Sequence, residues 1–131
     1  MDEPRWIERA FAEALHHDQI RSFGGRWGVR DENLLESALA RPQQRWSYEP
    51  EADLCDLAAA YAFGIAKNHP FVDGNKRTAF GALVVFLGTN GRPLRVGEPE
   101  AIDVMLGVAA GEMDEDALAA WCRSNSAPVS E

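Results

Sequence analysis

Two stretches of this chain, residues 54–66 and 79–87, are apolar on nearly every face a helix can present, and a short segment carrying polar and charged residues separates them. In the first, Leu54, Leu57, Ala58, Tyr61 and Ile65 recur at helical spacing, while Ala59, Ala60, Ala62, Phe63 and Ala66 fill the remaining faces. In the second, Phe80, Leu83, Val84 and Leu87 form one face and Ala79, Ala82, Val85 and Phe86 the other, until Asn90-Gly91 ends the pattern. A helix apolar all round is buried all round, so the pair needs other helices to cover it. Neither run is long enough to span a bilayer.

The covering helices can be read from their ends. Asp2 is an N-cap and Pro4 a first helical residue for a helix carrying Trp6, Ile7, Ala10, Phe11, Ala14 and Leu15, stopped by Gly24-Gly25. Asp31 caps a second helix with the stripe Leu34, Leu35, Ala38 and Leu39, which Pro42 ends. Residues 43–50 have no helical period and read as an extended flap, in which Trp46 and Tyr48 either line a docking surface or cover the core edge. A fifth helix runs from about Pro99 to Ala110, and a sixth begins near Asp114 with Ala117, Leu118 and Trp121. No alternating strand pattern of useful length is present. The expectation is all-α: one domain over residues 1–123, about six helices with two buried at the centre, and a flexible polar tail over residues 124–131.

Charge narrows the partners. A net charge of −8 and a pI near 4.8 oppose a surface built to neutralise nucleic-acid phosphates, so no direct nucleic-acid binding is expected. Cys55 and Cys122 lack the paired spacing of a zinc or redox motif and read as core residues in a reducing compartment. No export signal is visible at the N-terminus, which gives a cytoplasmic expectation with no membrane contact.

The chemistry concentrates between the two apolar helices, in His69-Pro70-Phe71-Val72-Asp73-Gly74-Asn75-Lys76-Arg77. Pro70 cannot continue the preceding helix, Gly74 permits a sharp turn, and the next helix opens with Asn75, Lys76 and Arg77. Cations in a helix's first turn oppose the helix dipole unless an anion is bound there. Their position therefore predicts a phosphate held by backbone N–H groups, by the fork of Arg77 and by the point charge of Lys76. Asp73 can hold Mg²⁺ against that phosphate, and His69 can accept a proton near neutral pH. Phe71 anchors the loop in the core. A lysine rather than a glycine at position 76 fills the room that a second phosphate would need, which favours a nucleotide presenting its terminal phosphate.

This nine-residue segment resembles the signature of the Fic/Doc family, and its Asn-Lys-Arg ending is similar to the death-on-curing (Doc) branch. The segments Phe23-Gly24-Gly25, Gly28-Val29-Arg30-Asp31, Leu34 through Leu39, Ala58 through Phe63, and Ala109-Ala110-Gly111 through Trp121 extend the likeness over most of the chain. The resemblance implies a Fic-like helical bundle. It implies His69 as the general base, Asp73 as the Mg²⁺ ligand, and Gly74, Asn75, Lys76 and Arg77 as the phosphate-binding positions. It further implies a toxin of a toxin–antitoxin pair that transfers a phosphate from ATP to a Ser/Thr hydroxyl of a protein target. Elongation factor Tu is the target associated with the branch.

Pro70 and Gly74 are closer to the branch that transfers AMP, which keeps adenylyl transfer as an alternative beside a non-catalytic nucleotide-binding module. The family's self-inhibitory pattern is missing, since Ser47 and Glu51 are followed by Ala52, so a separate antitoxin is expected. His16 and His17, adjacent on one helix, point in different directions and read as surface or half-buried residues.

Overall fold

The structure is a computed structural model and describes residues 1–129. Six helices follow in order: α1 (Arg9–Phe23), α2 (Glu32–Tyr48), α3 (Leu54–Asn68), α4 (Asn75–Thr89), α5 (Glu98–Ala109) and α6 (Glu115–Ser124). Among the described residues the only β pairings are two isolated antiparallel bridges, Val29 with Phe71 and Leu94 with Ser126. The all-α class is borne out.

Helix α3 is the axis of the bundle, packed by α2, α4, α5 and α6, while α1 lies along α4. Its burial on nearly every face answers the apolar pattern: Cys55, Leu57 through Ala62, Gly64, Ile65 and Ala66 are all enclosed. Gly64 allows α2 to come close, because a Cβ there would lie 3.4 Å from the Cα of Ala38. Helix α4 is less enclosed than its pattern implied. Asn75, Thr78, Ala79, Ala82, Leu83, Phe86 and Leu87 are buried, but Val84 is exposed and Val85 half-exposed. Aspartates cap α2, α3 and α6: Asp31 accepts from Leu34 N, Asp53 forms a capping box with Asp56, and Asp114 accepts from Ala117 N.

Three expected boundaries move, each for a local reason. The first helix starts at Arg9 rather than Pro4, because the lead segment finds better partners in extended form. Ile7 N–H donates to the Tyr61 hydroxyl at 2.9 Å, and the Asn90 amide bonds both the N–H and the carbonyl of Arg5. The second helix runs through Pro42 to Tyr48, so residues 43–48 form no flap. Pro42 is buried, and Arg45 bonds Glu115 at 2.6 Å and Glu49 at 2.9 Å, tying the last turns down. Trp46 packs edge-on against Trp6 with ring centres 6.0 Å apart, covering the core edge, whereas Tyr48 is 84% exposed. The tail, expected to fray, is fastened as far as Val129. Arg95 N–H donates to Asn125 O, Val129 N–H to Gly91 O, and Arg92 to Ser126. Ser130 and Glu131 lie outside the described residues.

Both cysteines are buried, as expected, and burial pushes the Cys122 thiol up to about 12. No described helix is long and apolar enough to cross a membrane.

The extended lead depends on one phenol. Tyr61→Phe removes the acceptor while leaving Ile7 N–H buried, and an unsatisfied buried donor costs about 1–3 kcal/mol. Thermal melting of the variant should fall accordingly, with faster amide exchange at Ile7 than elsewhere. An unchanged melting temperature would contradict this anchor.

Candidate functional site

The loop between α3 and α4 must satisfy its backbone polar groups without a helix or sheet of its own, and its neighbours do so from several directions. Residues 28–31 run alongside it: Arg30 N–H and Asp31 N–H both donate to Pro70 O, at 2.7 and 3.1 Å, and Val72 N–H donates to Gly28 O at 2.9 Å. From the other side, Asn75 closes the loop on itself. Its side-chain oxygen accepts from Phe71 N–H at 2.9 Å, and its side-chain nitrogen donates to Phe71 O at 3.0 Å. Phe71 is buried, as the sequence implied.

His69 occupies the C-cap of α3 with φ 50° and ψ 54°, the one non-glycine residue with positive φ among those described. A left-handed conformation at a residue with a Cβ costs about 1–3 kcal/mol and persists only where the surroundings enforce it. The side chain is exposed, hence reachable by a protein hydroxyl. Arg30 bonds the carbonyls on either side of this turn, Nε to His69 O at 2.7 Å and Nη2 to Asn68 O at 2.9 Å.

Asp73 is held at both ends. Its carboxylate Oδ2 accepts from Arg26 N–H at 2.7 Å, and its carbonyl receives His16 Nε2 at 2.9 Å. Gly25, at φ 113°, makes the approach possible: a Cβ there would sit 3.2 Å from the Asp73 Cβ. Among the described residues no three His, Cys, Asp or Glu side chains converge. A single carboxylate with a free oxygen is nonetheless the donor set that Mg²⁺ uses when substrate phosphates complete its shell.

Helix α4 begins beside it in an unusual electrostatic state. Gly74 is the N-cap, with φ 74° and no side-chain cap, and the first turn holds no acid. Lys76 and Arg77 are exposed in that turn, and neither joins an ion pair among the described residues. The Arg77 guanidinium lies 4.6 Å from the centre of the Phe23 ring. These residues line one end of a cleft of about 620 Å³ between α1, α4 and α5, whose remaining wall includes Phe80, Ile102, Met105 and Leu106. Gly74, Asn75, Lys76 and Arg77 are thus brought together at the cleft. The Asn75 side chain is occupied by Phe71, so what it presents outward is its backbone N–H.

Three supports escaped the sequence reading. His16 is fully buried rather than at the surface or half-buried, stacked on Phe71 with ring centres 3.9 Å apart. Its place four residues after the buried Ala12 was the available signal. Gly25-Arg26 and Arg30 lie some forty residues from the loop they hold, and only the chain's path joins them.

Burial holds the His16 pKa below its usual value, although its hydrogen bond to Asp73 O opposes that shift and neighbouring His17 adds to it. The unfolded chain therefore binds a proton that the folded one refuses. Stability is full above the unfolded pKa of about 6.5 and is lost as pH falls through and below it. His16→Gln retains an N–H donor and removes this titration. Melting curves from about pH 7.5 to 5 should show a steeper loss for the wild type than for the variant. Parallel curves would contradict a buried, neutral His16.

Comparison with known proteins agrees with this architecture. The chain is 37% identical over 106 residues to "Protein kinase doc" of Escherichia phage P1, covering 81% of this chain and 83% of the relative. It is 43% identical over 102 residues to "Toxin Doc" of Mycolicibacterium smegmatis, covering 76% and 78%. The sequence model of the Fic/DOC family matches residues 6–87, a span that runs from the extended lead through the whole loop to the end of α4's buried face, and the chain belongs to that family.

Proposed function

We propose that this protein is a Doc-type toxin that transfers the terminal phosphate of ATP to a Ser or Thr hydroxyl of a protein target. The observation that carries the reading is the start of α4: an uncapped helix terminus with two cations and no acid, directly after Asp73 in the chain and six residues after the exposed His69. Such a turn is unfavourable by itself and becomes favourable with a polyphosphate bound. The names of the two relatives, a protein kinase and a toxin, point the same way.

In this reading the backbone N–H groups of Asn75, Lys76 and Arg77 cradle the phosphates, with the Arg77 fork on two oxygens and Lys76 on the adjoining charge. The apolar wall formed by Phe80, Ile102, Met105 and Leu106 takes the base. Asp73 would hold Mg²⁺, which would supply neutralisation of the phosphate charge. His69 removes the proton from the target hydroxyl, whose oxygen attacks the terminal phosphorus as the bond to the ADP oxygen breaks. Positioning and charge stabilisation dominate such reactions, so one base, one carboxylate and two cations suffice. An enzyme of this kind needs restraint, and a separate antitoxin protein supplies it. Elongation factor Tu is the proposed target, which places the activity in the cytoplasm and its effect on translation.

Incubation of the protein and Mg²⁺ with a bacterial extract and ATP, labelled at either the terminal or the innermost phosphate, tests the assignment. Terminal label should appear on a protein of the size of elongation factor Tu, whose intact mass rises by one phosphate. Added AMP would overturn the kinase reading in favour of adenylyl transfer. His69→Ala should reduce labelling by about 10² to 10⁴-fold while remaining folded, and Arg77→Ala should weaken nucleotide binding as well. In cells, expression of the wild type should arrest growth and the His69→Ala variant should not; unimpaired growth with soluble wild-type protein would contradict the toxin role.

A further inference from the structure

Arg30 lies outside the nine-residue segment, yet among the described residues its side chain alone bonds the carbonyls of both Asn68 and His69. Its main chain is fixed by the bond from its N–H to Pro70 O. Its side chain then turns to the end of α3, with Nε on His69 O at 2.7 Å and Nη2 on Asn68 O at 2.9 Å. Terminal helix carbonyls lack intrahelical partners and carry the negative end of the dipole, so a cation is favoured there. Charge alone does not account for the contact. Two donors of one planar fork, placed on two consecutive carbonyls, fix the relative orientation of two successive peptide planes, and those planes set the direction of the His69 Cα–Cβ bond. That direction is the left-handed one, which a residue with a Cβ does not hold without restraint.

We infer that Arg30 is a positioning residue for His69, holding its backbone in the left-handed turn that presents the imidazole to the acceptor hydroxyl. The inference rests on the reading of His69 as the base. Stabilising α3 alone would be a smaller task, and that helix end has other anchors: His69 N–H donates to Ile65 O at 3.2 Å, and Asn68 Nδ2 to Leu34 O at 3.1 Å. Loss of the Arg30 fork should therefore leave the bundle folded and the nucleotide cleft, whose lining includes neither Arg30 nor His69, intact. What it should release is the orientation of the base.

The test compares Arg30→Met, which keeps much of the stem and removes the fork, with Arg30→Lys, which keeps the charge but not the paired donors. Three quantities are read on the full chain: labelling of extract proteins from terminally labelled MgATP at saturation, the affinity for MgADP, and the backbone chemical shifts of Asn68 and His69 by NMR. Arg30→Met should lower the saturated rate by about 100-fold, the order of loss that a misplaced reacting group produces. MgADP affinity should be unchanged, and the left-handed shifts of His69 should disappear. Arg30→Lys should lose part of the rate and show His69 averaging between conformations; should Arg30→Met fail to fold, this variant decides. Wild-type rate or wild-type His69 shifts in the folded variant would overturn the inference, as would a loss confined to MgADP affinity. His69→Ala separates the two levels. If it is inactive while Arg30→Met is fully active, the base stands and the positioning role falls; if His69→Ala labels at the wild-type rate, the base assignment falls and the inference with it.

Discussion

A six-residue loop with nowhere to hide its backbone polar groups governs this molecule. Because α3 is enclosed on nearly every face and α4 packs along it, the loop joining them is held at the end of the core. Buried peptide groups there must find partners, and they find them in residues 28–31, in the Asn75 side chain and in His16. Each of those bonds also orients something chemical. The Asn75 clamp fixes the turn from Phe71 into α4, His16 holds the Asp73 carbonyl, and Arg30 holds the peptide planes around His69. Fold and site are therefore one hydrogen-bonding solution.

Electrostatics follows the same division. In a chain of net charge −8, several arginines are bound to carboxylates in structural networks: Arg9 with Glu13, Glu32 and Glu36; Arg45 with Glu49, Asp56, Glu115 and Asp116; Arg123 with Asp53 and Asp56. Lys76 and Arg77 sit in a turn that contains no acid. An acidic protein with an unneutralised cationic helix start is suited to a small polyphosphate and ill suited to a long nucleic acid, which needs a broad basic face.

Much of this was legible in the sequence because it depended on local signals. The apolar pattern of residues 54–66 announced a central helix, the aspartates Asp31 and Asp114 announced two helix starts, and Gly74 before Asn75 announced where α4 begins. The failures came where distant partners overrode local rules. Pro42 should end a helix, but its burial and the ion pairs of Arg45 carry α2 past it. Pro4 should begin one, but Tyr61 and Asn90 reward an extended lead. The full burial of His16, expected at the surface or half-buried, was missed because its neighbour Phe71 and its partner Asp73 lie more than fifty residues away.

The central claim is that the first turn of α4 is a phosphate site. Amide NMR of the labelled protein titrated with MgATP measures it directly, residue by residue. The account predicts that the largest shift changes fall on the N–H groups of Asn75, Lys76 and Arg77, with smaller ones at Asp73 and along the cleft at Phe80 and Ile102. Changes concentrated elsewhere on the molecule, with those three amides unmoved at saturating nucleotide, would contradict it.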